Sequence, residues 1–286
     1  MLHIERDHII NTEQNRILCC SYNNDGTKIA VGSSRGNIFI LDSTTGSITF
    51  RFDDNSGMVN AVAFNHDGSK VVSGNDNGYI TLWSPDGGAF RIQAHPSSKV
   101  NAVAFNSNGS LIASASNDSF VKIWNSATGS NMKILRGHSS WVKSVAWHGT
   151  DHLVSGGRDK CVIFWDREGN TTVMKGHTDT VQSVAFHPDG NLIISCSDDG
   201  YLNKWDRHTG KIVYTTRTAF TKVINRPLIS CCYSNDGKRI AFATDYFIYV
   251  IIPNNVYRIQ AHANINQIQF SKNDKMIVCA TERQVY

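Results

Sequence analysis

The chain has 286 residues, 28 Lys plus Arg against 24 Asp plus Glu, and a formal charge of +4. Hydrophobic residues make up 41% and charged residues 18%, which excludes a disordered or coiled-coil chain. The weak positive balance does not demand nucleic acid, charge arrives too early for a signal peptide, and the longest apolar run, residues 246–252, is far short of a membrane span.

Self-similarity organises everything that follows. Residues 2–5 precede a first apolar strand at 17–22, closed by the turn pair Asp25-Gly26. Val59-Asn60-Ala61-Val62-Ala63-Phe64-Asn65 opens a second unit and recurs letter for letter at residues 100–106. Variants follow at 142–147 and 181–186. Each leads into a turn, an apolar run and a tryptophan. Trp83, Trp124, Trp165 and Trp205 stand 41, 41 and 40 residues apart. Asp67-Gly68, Asn108-Gly109, Asp189-Gly190 and Asp236-Gly237 keep the register, with residues 148–151 and Asn273-Asp274 in the same place, which makes seven units. Such dipeptides between apolar runs are hairpin signals because they tolerate positive φ. The third unit predicts strands near 100–106, 111–115, 120–124 and 131–135, alternating with period two. The last unit predicts strands near 266–271 and 276–280 and starts another at 284–286. No segment shows a helical period.

Seven cysteines include the neighbours Cys19-Cys20 and Cys231-Cys232, which on a strand point to opposite faces. With no CxxC spacing, buried free thiols in a reducing compartment are expected, and no metal or cofactor.

The motifs resemble those of the WD-repeat family. Gly137-His138 and Gly176-His177 open repeats, and Trp165-Asp166 and Trp205-Asp206 close them, with Trp83-Ser84, Trp124-Asn125 and Leu41-Asp42 as variations. The resemblance covers the whole chain. It implies an all-β, seven-bladed β-propeller of four-stranded antiparallel blades, one domain over residues 1–286. The units fall near 9–50, 51–92, 93–135, 136–174, 175–216, 217–259 and 260–286, with 1–8 joining the last blade to close the ring.

The resemblance also implies a buried structural network in three blades: His95, Ser114, Asp118 and Trp124; His138, Ser155, Asp159 and Trp165; His177, Ser195, Asp199 and Trp205. Ser, His and Asp invite comparison with a hydrolase, but a nucleophile would not recur blade after blade. With no HExxH and no Gly-rich loop leading into a helix, the chain is not expected to be an enzyme. Blade two offers Asn55 and Asn77 at the His and Asp places and keeps Ser73 and Trp83; blade six offers Asp245 without a Trp; blade seven offers His262 and Glu282.

In the family, partners often dock on the top face around the channel mouth. Carried onto this chain, the blades present in order Arg16, Leu18 and Ser34; Met58, Asn60 and Asp76; Lys99, Asn101 and Asn117; Trp141, Lys143 and Arg158; Thr180, Gln182 and Asp198. The last two present Pro227, Ile229 and Thr244, then Asn264, Asn266 and Glu282. Trp141 beside Lys143, Arg158 and Lys99 is the strongest candidate, an aromatic anchor among cations, with Arg16, Met58, Asp76 and Asp198 around it. The expected function is a non-enzymatic adaptor or scaffold holding an acidic or phosphorylated peptide, or an acidic helix, in a multisubunit complex. The alternatives are a nucleic-acid-contacting subunit of an RNA-processing or ribosome-assembly particle, or a regulatory propeller of a longer protein. Neither membrane insertion nor a cofactor is expected, and an intracellular setting is, in the cytoplasm first, then nucleus or cilium.

Overall fold

Period-two apolar runs separated by Gly-containing turns fold as hairpins, and the hairpins stack into sheets. The computed structural model describes residues 16–54, 56–84, 87–217, 226–253 and 255–282. The first sheet holds β1 (Ile17–Tyr22), β2 (Lys28–Ser33), β3 (Asn37–Asp42) and β4 (Ile48–Asp53). The second holds β5 (Val59–Phe64), β6 (Val71–Asn75), β7 (Tyr79–Trp83) and β8 (Ala89–Gln93). The third is β9 (Val100–Phe105), β10 (Leu111–Ser116), β11 (Val121–Asn125) and β12 (Asn131–Leu135). The fourth is β13 (Val142–His148), β14 (His152–Gly157), β15 (Cys161–Trp165) and β16 (Thr171–Lys175). The fifth is β17 (Val181–Phe186), β18 (Leu192–Ser197), β19 (Tyr201–Asp206) and β20 (Ile212–Arg217). The sixth is β21 (Ser230–Tyr233), β22 (Ile240–Ala243), β23 (Phe247–Ile252) and β24 (Asn255–Gln260). β25 (Ile265–Phe270) and β26 (Ile277–Thr281) form a two-stranded seventh. Every pairing is antiparallel between strands consecutive in sequence.

This corrects the fold expected from sequence. Among the described residues the propeller has six four-stranded blades and a partial seventh, not seven complete blades. Residues 1–8, expected to complete the last blade and close the ring, and residues 284–286 lie outside the described residues.

Closure is visible at the innermost strands instead. The core is divided into layers, each lying between two neighbouring sheets, and Trp83, Trp124, Trp165 and Trp205 each fill one. The layer at the seam joins Ile17, Cys20 and Tyr22 of β1 to Val278 and Ala280 of β26. Polar groups zip the same seam. Asn266 Nδ2 donates to the Ile17 carbonyl at 2.6 Å, while the N–H groups of Cys20 and Tyr22 donate to Gln267 Oε1 at 3.1 Å and Gln269 Oε1 at 2.9 Å. Elsewhere a serine does this: Ser144 Oγ accepts from Val184 N–H at 3.1 Å and Ser230 Oγ from Ile268 N–H at 3.2 Å. The inner strand edge of a blade is thus capped by its predecessor, which protects it from foreign pairing.

Two mouths result. The upper one is built from the residues just before each innermost strand and from the turns between second and third strands. The lower one carries the Asp-Gly and Asn-Gly turns, where Gly68 (φ +70°) and Gly109 (φ +71°) adopt the left-handed backbone those dipeptides allow.

All seven cysteines are free. Burial pushes the Cys19 thiol up to about 12 and the other shifted thiols upward as well, so they behave as core side chains. No helix among the described residues is long and apolar enough to cross a membrane.

Candidate interaction face

Buried polar chains tie each of three blades to its predecessor. In blade three, Trp124 Nε1–H donates to Ser114 Oγ at 2.8 Å, Ser114 Oγ meets His95 Nε2 at 2.8 Å, and His95 Nδ1 meets Asp118 at 2.7 Å. Blade four repeats the chain through Trp165, Ser155, His138 and Asp159 at 2.9, 2.8 and 2.9 Å. Blade five repeats it through Trp205, Ser195, His177 and Asp199 at 2.7, 2.7 and 2.8 Å. One proton arrangement satisfies all members: Nδ1–H donates to an ionised Asp, and the Ser hydroxyl donates to Nε2. Burial holds the His95 pKa below its ordinary value, which keeps the ring neutral as this arrangement requires. Burial alone would raise Asp118, Asp159 and Asp199, but their histidine bonds and backbone N–H donors keep each below the usual carboxylate value. The three serines are 0% exposed, so no substrate reaches them. These chains are internal struts.

Two alignments made from sequence shift. Asp54, not Asn55, takes the histidine place of blade two, because its N–H donates to the Gly36 carbonyl as His95 N–H does to Gly78. The signal was present: Asp54 precedes Val59 by the same interval that separates His95 from Val100. Asn55 itself lies outside the described residues. The buried Asp54 carboxylate is held by Ser56, Asn75 and the Arg91 guanidinium, while Trp83 still donates to Ser73 at 2.9 Å. In blade six, Ser230 pairs with Ala243 as Ser183 pairs with Cys196. Counting onward places Asp245, rather than Thr244, where blade five has Asp198. The turn is one residue shorter, since Ala243 pairs with Ile248 where Cys196 pairs with Leu202.

The upper mouth is held by one repeated backbone bond. The N–H groups of Ser34, Asp76, Asn117, Arg158, Asp198 and Glu282 donate to the carbonyls of Arg16, Met58, Lys99, Trp141, Thr180 and Asn264. In blade four this bond is 2.7 Å, and it sets the Arg158 guanidinium over the Trp141 indole at 4.6 Å. Trp141 is nonetheless 41% exposed. Lys143 stands half-buried beside them. Burial first, then the charges of Lys99 and Arg158, lower its pKa, with Asp198 pulling the other way. The fold therefore brings together Trp141, Arg158, Lys143 and Lys99, with Asp198 on the adjoining blade.

The remaining candidates are placed differently. Arg16 pairs with Glu282 across the seam, so its charge is matched within the chain. Asp198 accepts from Gln182 Nε2 at 2.8 Å; burial, with Asp179 and Asp199 nearby, raises its pKa. Met58, 42% exposed, lies beside Asp76 in blade two. Among the described residues no group of three or more His, Cys, Asp or Glu could hold a metal ion.

A ring of antiparallel blades strutted by repeated Trp–Ser–His–Asp chains defines a β-propeller of the repeat type. The family described as WD domain, G-beta repeat matches residues 46–84, 89–125, 129–166 and 169–206, together more than half of the chain, and the protein belongs to that family. Each match runs from the outer strand of one blade through the third strand of the next, so the sequence repeat interlocks neighbouring blades. No curated protein matches the chain. WD-repeat propellers generally serve as scaffolds for protein contacts and are typically not enzymes.

Proposed function

We propose that this protein is a non-catalytic adaptor that takes an acidic or phosphorylated peptide segment of a protein partner on its upper face. The observation carrying the reading is the exposed Trp141, overlaid by Arg158 and flanked by Lys143 and Lys99. A large amphipathic ring at low entropy cost is what interface anchors use. Burial, then the crowding of Lys99 and Arg158 around Lys143 against the opposing charge of Asp198, lowers the Lys143 pKa; an arriving carboxylate or phosphate would relieve that strain. Free buried thiols support an intracellular setting, which we place first in the cytoplasm.

The test is affinity purification from cell extract with the wild type and a Trp141→Ala, Arg158→Glu variant. The reading expects specific partners to be lost from the variant while its melting temperature is kept. If every co-purifying protein stays with the variant, the upper face is not the site. A steep salt dependence of the retained binding would favour nucleic-acid phosphates over a peptide.

A further inference from the structure

Five buried side-chain polar atoms have no hydrogen-bond partner among the described residues, and three of them belong to blade two: Asn60 Nδ2, Asp76 Oδ1 and Thr81 Oγ1. The first two occupy upper-mouth positions that are satisfied in other blades. In blade three, Asn101 Nδ2 donates to Asn117 Oδ1 at 2.8 Å; in blade five, Gln182 Nε2 donates to Asp198 Oδ2 at 2.8 Å. The corresponding donor and acceptor of blade two leave each other unmatched. Asp76 Oδ1 is tucked against Gly57, where any Cβ would come within 2.1 Å of it. Asp76 carries no ion pair among the described residues, and the neighbouring Met58 is exposed.

Unmatched buried polar atoms are rare in folded proteins and costly to keep. Here one is a donor and the other belongs to a carboxylate, beside an exposed flexible apolar side chain. From this juxtaposition we infer that blade two is a specificity subsite for a basic residue of the partner peptide. The lysine or arginine head donates to the Asp76 carboxylate, its aliphatic stem lies on Met58, and the peptide carbonyl accepts from Asn60 Nδ2. This rests on the upper face being the peptide site. It adds that the peptide is amphoteric, with its acidic group over Lys99, Lys143 and Arg158 and its basic side chain over Asp76. Opposed charges across one mouth fix the direction in which a peptide lies.

The experiment is selection from a randomised peptide display library on the immobilised whole protein, followed by titration of a selected peptide. The wild type should select peptides that pair an acidic residue with Lys or Arg. The near-isosteric Asp76→Asn should keep the acidic preference and weaken that peptide by about tenfold. Asp76→Lys should replace the basic preference with a second acidic one; should it not fold, Asp76→Asn decides. Wild-type peptides lacking a basic residue, or a basic preference that survives substitution at Asp76, overturn the subsite. Arg158→Glu separates the two ideas, because it should abolish the acidic preference and leave the basic one. An acidic preference untouched by Arg158→Glu defeats the adaptor reading, and a wild type that selects nothing defeats both.

Discussion

Replacing Asp159 by Ala removes one acceptor that serves three donors: His138 Nδ1–H at 2.9 Å, Ser139 N–H at 2.9 Å and Cys161 N–H at 3.3 Å. They are not equivalent. Ser139 is exposed, so water replaces its acceptor at little cost, whereas His138 is buried and its N–H is stranded. Cys161 is half-buried and its bond is long. Orphaning a buried donor costs roughly 1–3 kcal/mol and losing an ordinary hydrogen bond about 1 kcal/mol, so the expected loss is about 2–3 kcal/mol. For a chain of this size that is a fall in Tm of roughly 3–5 °C. Asp159→Asn keeps an acceptor for His138 and should lose about half as much. Glu282→Ala is the internal control. Its partners are Asn264 and the largely exposed Arg16, and such surface pairs contribute about 0–1 kcal/mol. The assay is thermal and guanidinium unfolding of all three variants beside the wild type. If Asp159→Ala and Glu282→Ala destabilise equally, the polar chains are not struts and the reasoning fails.

Other outcomes follow from the same geometry. Arg91→Ala strands the Asp54 carboxylate, whose side chain is 1% exposed, and because Arg91 itself is 42% exposed the loss should lie near about 2 kcal/mol. Adding Asp54→Asn should recover part of it, and no recovery would show that charge pairing is not the cause. The depressed pKa values of His95, Asp118, Asp159 and Asp199 all make acid destabilising, since the unfolded chain then binds more protons. The share of stability these four groups contribute should be level above the ordinary histidine value of 6.5, decline below it, and fall steeply below 3.8; a Tm that rises between pH 7 and 5 contradicts this. Changing both Gln267 and Gln269 to Ala removes the acceptors of Cys20 and Tyr22 N–H at the seam, at about 1 kcal/mol each. Hydrogen exchange at those two amides should accelerate while the inner strands of blades three to five are unchanged; unchanged exchange at the seam refutes its zipper.

The repeat was legible because it is written in residues that only one geometry tolerates. Four tryptophans at a near-constant interval and Asp-Gly or Asn-Gly turns define hairpins wherever they occur, and identical heptapeptides at residues 59–65 and 100–106 leave no doubt about register. Alignment failed where the backbone changes length. The interval between the buried polar residue and the next inner strand is longer in blades two and three than in four and five, which misplaced Asn55 for Asp54. The shortened turn of blade six likewise misplaced Thr244 for Asp245. The seam contacts were hidden for another reason. Completing an outer strand is a visible pattern, whereas Asn266, Gln267 and Gln269 reach β1 from far along the chain and read in sequence as ordinary polar strand residues. The pairing of Arg16 with Glu282 was equally hidden: Arg16 was expected only as a partner-binding residue of the upper face, and the fold supplies it a counter-charge from the last blade. Trp141, Lys143 and Arg158 were legible as a group because a tryptophan beside the start of an inner strand has no place in the blade core.

The central claim is that partners engage the upper mouth around Trp141, and site-specific photocrosslinking tests it most directly. A photoreactive amino acid would be placed at Ser140, beside Trp141 on the upper face, and in a second protein at Asn24, in the exposed lower turn after β1. In cell extract the Ser140 position should give discrete partner adducts that disappear when Arg158→Glu is added, and the Asn24 position should give none of the same adducts. Adducts of the same partners from Asn24, with none from Ser140, would contradict the account.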